Sequence, residues 1–108
     1  MTIEVSKPSI PPERTTLTEA FRALSDPTRL AIFELVRAVS PGEARTAEDL
    51  ERSVSQIASH FNLSLSTVSH HLKELRRAGL IKCERRGQFV YCSTDEQILR
   101  ELATFIAG

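Results

Sequence analysis

Residues 53–91 constrain this chain more than any other stretch. They read SVSQIASHFNLSLSTVSHHLKELRRAGLIKCERRGQFVY. Ser53 followed by Gln56 is a capping-box pattern, so a helix can start near Val54. Val54, Ile57, Ala58 and Phe61 then fall on one helical face. Asn62 tolerates the left-handed conformation that ends a helix and turns the chain. Ser64 is a suitable cap for a second helix, over about 64–78. On that helix Leu65, Val68, Leu72 and Leu75 repeat at the helical period and form the expected buried stripe. The opposite face carries Ser66, His70, Lys73 and Arg77, with Thr67 and Ser69 at its margins. Gly79 follows where a helix-ending glycine belongs.

A hairpin is expected next, over about 80–93. A two-residue turn at Arg86-Gly87 sets Cys83 opposite Val90 and Ile81 opposite Cys92. Those four share one face, and Lys82, Glu84, Phe89 and Tyr91 share the other. Arg85, Arg86 and Gln88 sit at the tip. Taken alone, the outer face of the 64–78 helix is equally consistent with an ordinary solvated surface. A basic hairpin tip directly after it favours a groove-reading helix with a phosphate-gripping wing. The expected fold is therefore mainly α with a small β-hairpin: a winged helix-turn-helix of about five helices plus a two-stranded wing. Ser64, Ser66, Thr67, Ser69 and His70 form the expected DNA-facing end of the helix, with the last four near base edges. Lys73, Arg76, Arg77, Arg85 and Arg86 are expected to neutralise phosphates, with Gln88 supporting the wing.

The net charge of zero is uneven in its distribution. Between His70 and Arg86 there are six Lys/Arg against two acids; the rest of the chain holds eight basic and twelve acidic residues. Positive potential is thus concentrated where the helix and wing lie. A chain of 108 residues with 41% hydrophobic content buries one core and little more. No apolar run is long enough to span a membrane. The Pro-rich, polar segment 1–15 reads as a flexible arm ahead of a domain over 16–108, and not as a signal peptide. With two cysteines and no secretory leader, the expected compartment is a reducing cytoplasm.

Ahead of the central motif, Leu17, Ala20, Phe21 and Leu24 form an apolar stripe on a first helix. Asp26 caps a second, with Pro27 at its first position. Leu30, Ile32, Phe33, Leu35, Val36 and Val39 make that second helix apolar over much of its circumference, which places it centrally. Ser40-Pro41-Gly42 then breaks the chain. Thr46 could cap a short helix before 53. Alternatively, the phase of Leu50 with Val54, Ile57 and Phe61 favours one continuous helix from Ala47 to Phe61. At the C-terminus Ile98, Leu99, Leu102, Phe105 and Ile106 form a further stripe.

The segments FRALSDPTRL at 21–30, LSLSTVSHHLKELRRAGLI at 63–81 and RRGQFVY at 85–91 carry a family resemblance. Over roughly Leu17 to Ile106 the chain resembles the ArsR/SmtB-type winged-helix repressors, and within them the SdpR-like autorepressor branch. The resemblance implies a homodimeric repressor on a short inverted repeat in double-stranded DNA. It also implies a dimer interface from the first and last helices, here Leu17, Ala20, Phe21, Leu24, Ile98, Leu102, Phe105 and Ile106. The connection over 40–52 is longer than the family's usual one. Leu65 stands where many relatives carry Gln, so readout of a base by a side-chain amide is not expected from that position.

Family metal sites use cysteines on the third helix or Asp and His on C-terminal helices. This chain has SVSQIASHF and DEQILRELATFIAG in those places, so neither set is present and no metal or cofactor is expected. Cys83 and Cys92 read first as small buried thiols, with a thiol-responsive repressor as the alternative. A module that binds protein and no DNA is the other alternative reading. Ser69 and His70 are sequence neighbours that point different ways on a helix, without an Asp to orient the imidazole. A catalytic triad is therefore not expected, nor is an enzyme. The operator and any inducer are not legible.

Overall fold

Four of the five described helices begin on a side-chain cap, from Asp26, Ser53, Ser64 and Asp95. The structure is a computed structural model that describes residues 12–37 and 52–108. In it α1 spans Pro12–Ala23, α2 Pro27–Val36, α3 Val54–Phe61, α4 Leu65–Arg77 and α5 Glu96–Ala107. Strands β1 (Arg52–Ser53), β2 (Ile81–Arg86) and β3 (Phe89–Thr94) form an antiparallel sheet in the order β1-β3-β2. The described residues thus form five helices with a two-stranded hairpin, to which a two-residue strand is added. Helix α1 begins at Pro12, inside the segment read as an arm. The earlier part of that arm and most of the 40–52 connection, with Thr46 and Leu50, lie outside the described residues.

Asp26 caps α2 by accepting the Arg29 N–H at 2.8 Å, with Pro27 in the first turn. Ser53 and Gln56 close a reciprocal capping box at α3, with distances of 3.1 and 2.8 Å. The continuous helix from Ala47 is therefore not formed. Arg52 and Ser53 instead pair with Cys92 and Tyr91 of β3. Ser53 serves both elements, its extended backbone joining the sheet while its hydroxyl starts the helix. It is also a buried polar residue whose groups are thereby satisfied.

The turn between α3 and α4 depends on Asn62, whose φ of 54° is left-handed. The Leu63 N–H returns to the Ala58 carbonyl at 2.9 Å, closing the end of α3. Helix α4 ends in a Schellman motif. Gly79 has φ 77°, its N–H bonds the Arg76 carbonyl at 3.0 Å, and the Leu80 N–H bonds the Leu75 carbonyl at 3.0 Å. Leu75 and Leu80 are both fully buried, so the apolar contact expected of that motif sits in the core.

The core joins Leu17, Ala20 and Ala23 of α1, Ile32, Phe33 and Val36 of α2, Ile57 and Ala58 of α3, and Val68, Leu72 and Leu75 of α4. Ala78 and Leu80 of the turn after α4, Ile81 and Cys92 of the hairpin, and Ile98 and Leu102 of α5 complete it. Helix α2 is central as expected, although Leu30 is exposed. Leu65 departs from its expected place in the buried stripe and is 57% exposed. It is the first residue of α4, next to the turn, and the helix meets the core only from Val68 onward.

Two truncations on α4 separate the core from this exposed end. Leu75→Ala is expected to cost about 2–5 kcal/mol in chemical denaturation, through lost burial and a cavity. Leu65→Ala should stay within about 0.5 kcal/mol, as surface changes do.

Candidate nucleic-acid interface

Once Val68, Leu72 and Leu75 face inward, the helical period turns Ser66, His70, Lys73 and Arg77 outward. All four are exposed, as are Ser64, Thr67, Ser69 and Arg76. The N-terminal end of α4 is a group of hydroxyls. Ser64 Oγ accepts the Thr67 N–H at 3.1 Å, donates to Thr67 Oγ1 at 2.8 Å, and lies 3.2 Å from Ser66 Oγ. Ser64 is therefore committed to capping the helix, while Ser66, Ser69 and His70 stand forward of it. Leu65 adds an apolar side chain to the same exposed end. It stands in the first turn, ahead of Val68 where the helix meets the core, so its hydropathy does not bury it.

The hairpin differs from expectation in register. Cys83 is opposite Cys92, Ile81 opposite Thr94, Arg85 opposite Val90 and Arg86 opposite Phe89. The turn is Gly87-Gln88. Gly87 has φ 62°, whereas Gln88 is not in the left-handed region, which matches a II′ turn with glycine first. The expected Arg86-Gly87 turn would have placed arginine where glycine is needed. The register moves by two residues, so each side chain keeps its face. Ile81 and Cys92 are buried beneath the hairpin, and Cys83 and Val90 are half-buried.

Arg85 and Arg86 consequently point to opposite faces. Arg85 is exposed. Arg86 is half-buried, with its guanidinium 4.4 Å from the centre of the Tyr91 ring. Gln88 and Phe89 are exposed at the tip. Lys73, Arg76, Arg77 and Arg85 are thus all exposed, Arg76 on the flank toward the wing and Arg77 on the flank toward Glu19, Arg22 and Arg29, while Arg86 stacks along the wing's other side. Arg77 also lies 3.7 Å from Glu74, one turn back on α4.

Two side chains on the flanks of α4 tie it to its neighbours. On one flank Arg76 lies close enough to Cys83 of β2 for its charge to act on that thiol. On the other, His71 Nδ1 lies 3.4 Å from Arg29 Nη1 and 3.9 Å from Asp26 Oδ2 at the start of α2. Guanidinium is only a donor, so Nδ1 is the acceptor and the imidazole is neutral in that contact. Burial lowers the His71 pKa; Asp26 opposes the shift, and Arg29 and His70 add to it. The Arg29 N–H holds the Asp26 carboxyl below its ordinary value, with smaller help from His71 and Arg29 and against a desolvation penalty. His71 is therefore a link between helices, and His70 is the outward histidine.

The apolar stripes on α1 and α5 divide into two sets. Leu17, Ala20, Ile98 and Leu102 are buried within the single chain, and Leu24 is half-buried. Phe21, Phe105 and Ile106 remain 40%, 49% and 73% exposed. The Phe21 and Phe105 rings meet edge to face at 5.8 Å, so the two helices present one apolar surface. Among the described residues no three His, Cys, Asp or Glu side chains gather as a metal site. No described helix is long and apolar enough to cross a membrane.

A model of the helix-turn-helix domain family matches residues 24–84, which contain α2 to α4 and most of β2. The transcriptional repressor SdpR of Bacillus subtilis is 39% identical over 85 residues, covering 79% of this chain and 82% of SdpR. The chain belongs to the ArsR family of winged helix-turn-helix transcriptional regulators. The uncharacterised HTH-type transcriptional regulator YbzH of the same bacterium is 38% identical, covering 82% of this chain and 92% of YbzH. Among solved structures, the homodimeric winged helix-turn-helix DNA-binding domain from Mycobacterium bovis superposes with a TM-score of 0.66 at 23% identity. That match covers 94% of this chain and 89% of the other, and it shows the same fold.

The His71 link has a pH signature. A depressed histidine pKa means that the unfolded chain takes up a proton the folded chain resists. Stability is then full above the ordinary value of 6.5 and falls as pH drops below it. Asp26, also depressed, contributes stability that is lost only at lower pH, below the ordinary carboxylate value of 3.8. Between about pH 7 and about pH 5, His71→Gln should therefore lose less stability than the wild type in thermal melts. Its side-chain carbonyl can still accept from Arg29.

Proposed function

We propose that this protein is a homodimeric transcriptional repressor that binds an inverted-repeat operator, with α4 in the major groove and the β2–β3 hairpin as a wing on flanking phosphates. One observation carries the reading. The outer face of α4 is held outward by a buried inner stripe, with the basic edge of the hairpin beside it. Ser66, Thr67, Ser69 and His70 would meet base edges. Exposed Leu65 joins them as an apolar group suited to a thymine methyl. Lys73, Arg76, Arg77 and Arg85 would neutralise phosphates, with Arg86 and Gln88 stiffening and supporting the wing. Ser64 acts through the helix it caps.

Dimerisation is supported by the exposed apolar surface of Phe21, Phe105 and Ile106, and by the homodimeric state of the M. bovis neighbour. A two-fold dimer also presents two copies of α4, as two half-sites require. The repressor reading is supported by similarity to SdpR. Family membership favours it over a module that binds protein alone. The same reading makes the protein a cytoplasmic regulator and not an enzyme.

Substitutions on α4 test the division of labour when binding to the protein's own upstream region is compared with a scrambled duplex. Arg77→Ala should weaken both and reduce the salt dependence by roughly one phosphate contact. Ser69→Ala, His70→Ala or Leu65→Ala should mainly erode discrimination, by about 1–3 kcal/mol for a residue making a good base contact. Equal losses on both duplexes for every variant would reject the assignment. A folded dimer with no preference for any genomic fragment would reject DNA recognition altogether.

A further inference from the structure

The hairpin register sets two thiols face to face. The turn hydrogen bond belongs to the Arg86–Phe89 pair, and pair types alternate along an antiparallel ladder. Cys83 and Cys92, three pairs further on, thus form a non-hydrogen-bonded pair. This is the close type, with Cα atoms about 4.5 Å apart. That lies within the span of about 4.4–6.8 Å that a disulfide bridges without moving the backbone. The Sγ atoms are 2.8 Å apart on the same face of the sheet.

The two thiols are not equivalent. Cys92 is fully buried, whereas Cys83 is half-buried and within reach of Arg76 at the end of α4. The hydrogen bond from Cys92, followed by the nearby charge of Arg76, holds the Cys83 thiol below its ordinary pKa despite burial. A partly accessible, cation-assisted thiol beside a buried one is the arrangement of an attacking and a resolving cysteine. Two small apolar side chains would fill the same space without that asymmetry.

We propose that Cys83 and Cys92 are a reversible oxidation site, a dithiol that a hydroperoxide converts to a disulfide across the wing. The Cys83 thiolate attacks the peroxide, breaking its O–O bond and leaving Cys83 as a sulfenic acid while the released alkoxide or hydroxide takes up a proton. The Cys92 thiol then attacks that sulfur. The S–S bond forms, the S–O bond breaks, and water leaves with the Cys92 proton. The dithiol loses two electrons to the peroxide, and a cellular dithiol returns them. In a reducing compartment such a disulfide persists only under oxidant. A disulfide leaves no thiolate for the nearby Arg76 charge to face, and it ties β2 to β3 where β2 packs against α4, so the join between recognition helix and wing is altered. This consequence rests on the DNA-binding reading; the oxidation chemistry does not.

The test treats the purified full chain with hydrogen peroxide and then with a dithiol. Peptide mapping and DNA binding are measured at each stage. The wild type should gain a Cys83–Cys92 linkage within one chain, with a mass lower by two hydrogens, and should lose operator affinity several-fold until reduced. Cys92→Ala should stop at a sulfenic acid on Cys83 that a cyclic 1,3-dione traps. Arg76→Ala should bind DNA with an affinity that no longer responds to oxidation. Absence of the intrachain linkage in the folded wild type, which needs no variant, overturns the site. A linkage that leaves DNA affinity unchanged overturns its regulatory role. Reduced protein that prefers no DNA fragment counts against the DNA-binding reading alone, since the linkage is measured independently.

Discussion

Val68, Leu72 and Leu75 of α4 pack against α2 and α3, and everything that faces outward takes its direction from that contact. A helix has only one set of angles to distribute. Burying these three leaves Ser66, His70, Lys73 and Arg77 no other side to occupy. The burial also orients the flanks, so that Arg76 meets the wing and His71 meets the start of α2. Stability and recognition therefore share one element. A change that loosens the inner stripe will also move the outer one.

The ends of α3 and α4 fix the angle at which this happens. Asn62 and Gly79 both adopt left-handed backbone, and each lets a following N–H return to a carbonyl of the helix it terminates. At the second of these ends, Leu80 enters the core beside Leu75 and the chain passes directly into β2. The wing is thus attached to the recognition helix by a single buried turn. Motion at its base is restrained, whereas the Gly87-Gln88 tip extends beyond the core. A covalent link at Cys83 and Cys92 would fall between these two regimes, on the half-buried part of the hairpin.

Much of this was legible locally. Ser53 with Gln56, Asp26 with Pro27, Ser64, Asn62 and Gly79 act through their immediate backbone neighbours, and all appear in the roles their chemistry predicts. Period-2 alternation assigned Ile81, Cys83, Val90 and Cys92 to one face even though the expected turn was misplaced, because a two-residue shift preserves faces. Pair identity is a finer property. It depended on which central position needs positive φ, and only Gly87 at the first position satisfies the II′ turn. The short strand β1 left no pattern to find, since a two-residue strand is defined by its partner β3 and not by its own sequence.

The amino-acid sequence alone determined the order of elements, the helix boundaries that caps enforce, the polarity of the outer face of α4 and the concentration of positive charge. These follow from interactions a few residues apart and from side-chain periodicity. Only the tertiary structure decided that Leu65 is exposed and that Arg86 lies on Tyr91 while Arg85 stays exposed. It alone decided that His71 joins α4 to α2, and that Cys83 faces Cys92 beside Arg76. Each of these depends on where a second element ends, how a strand registers or which residue first meets the core. Such distances in space are not encoded by spacing along one segment.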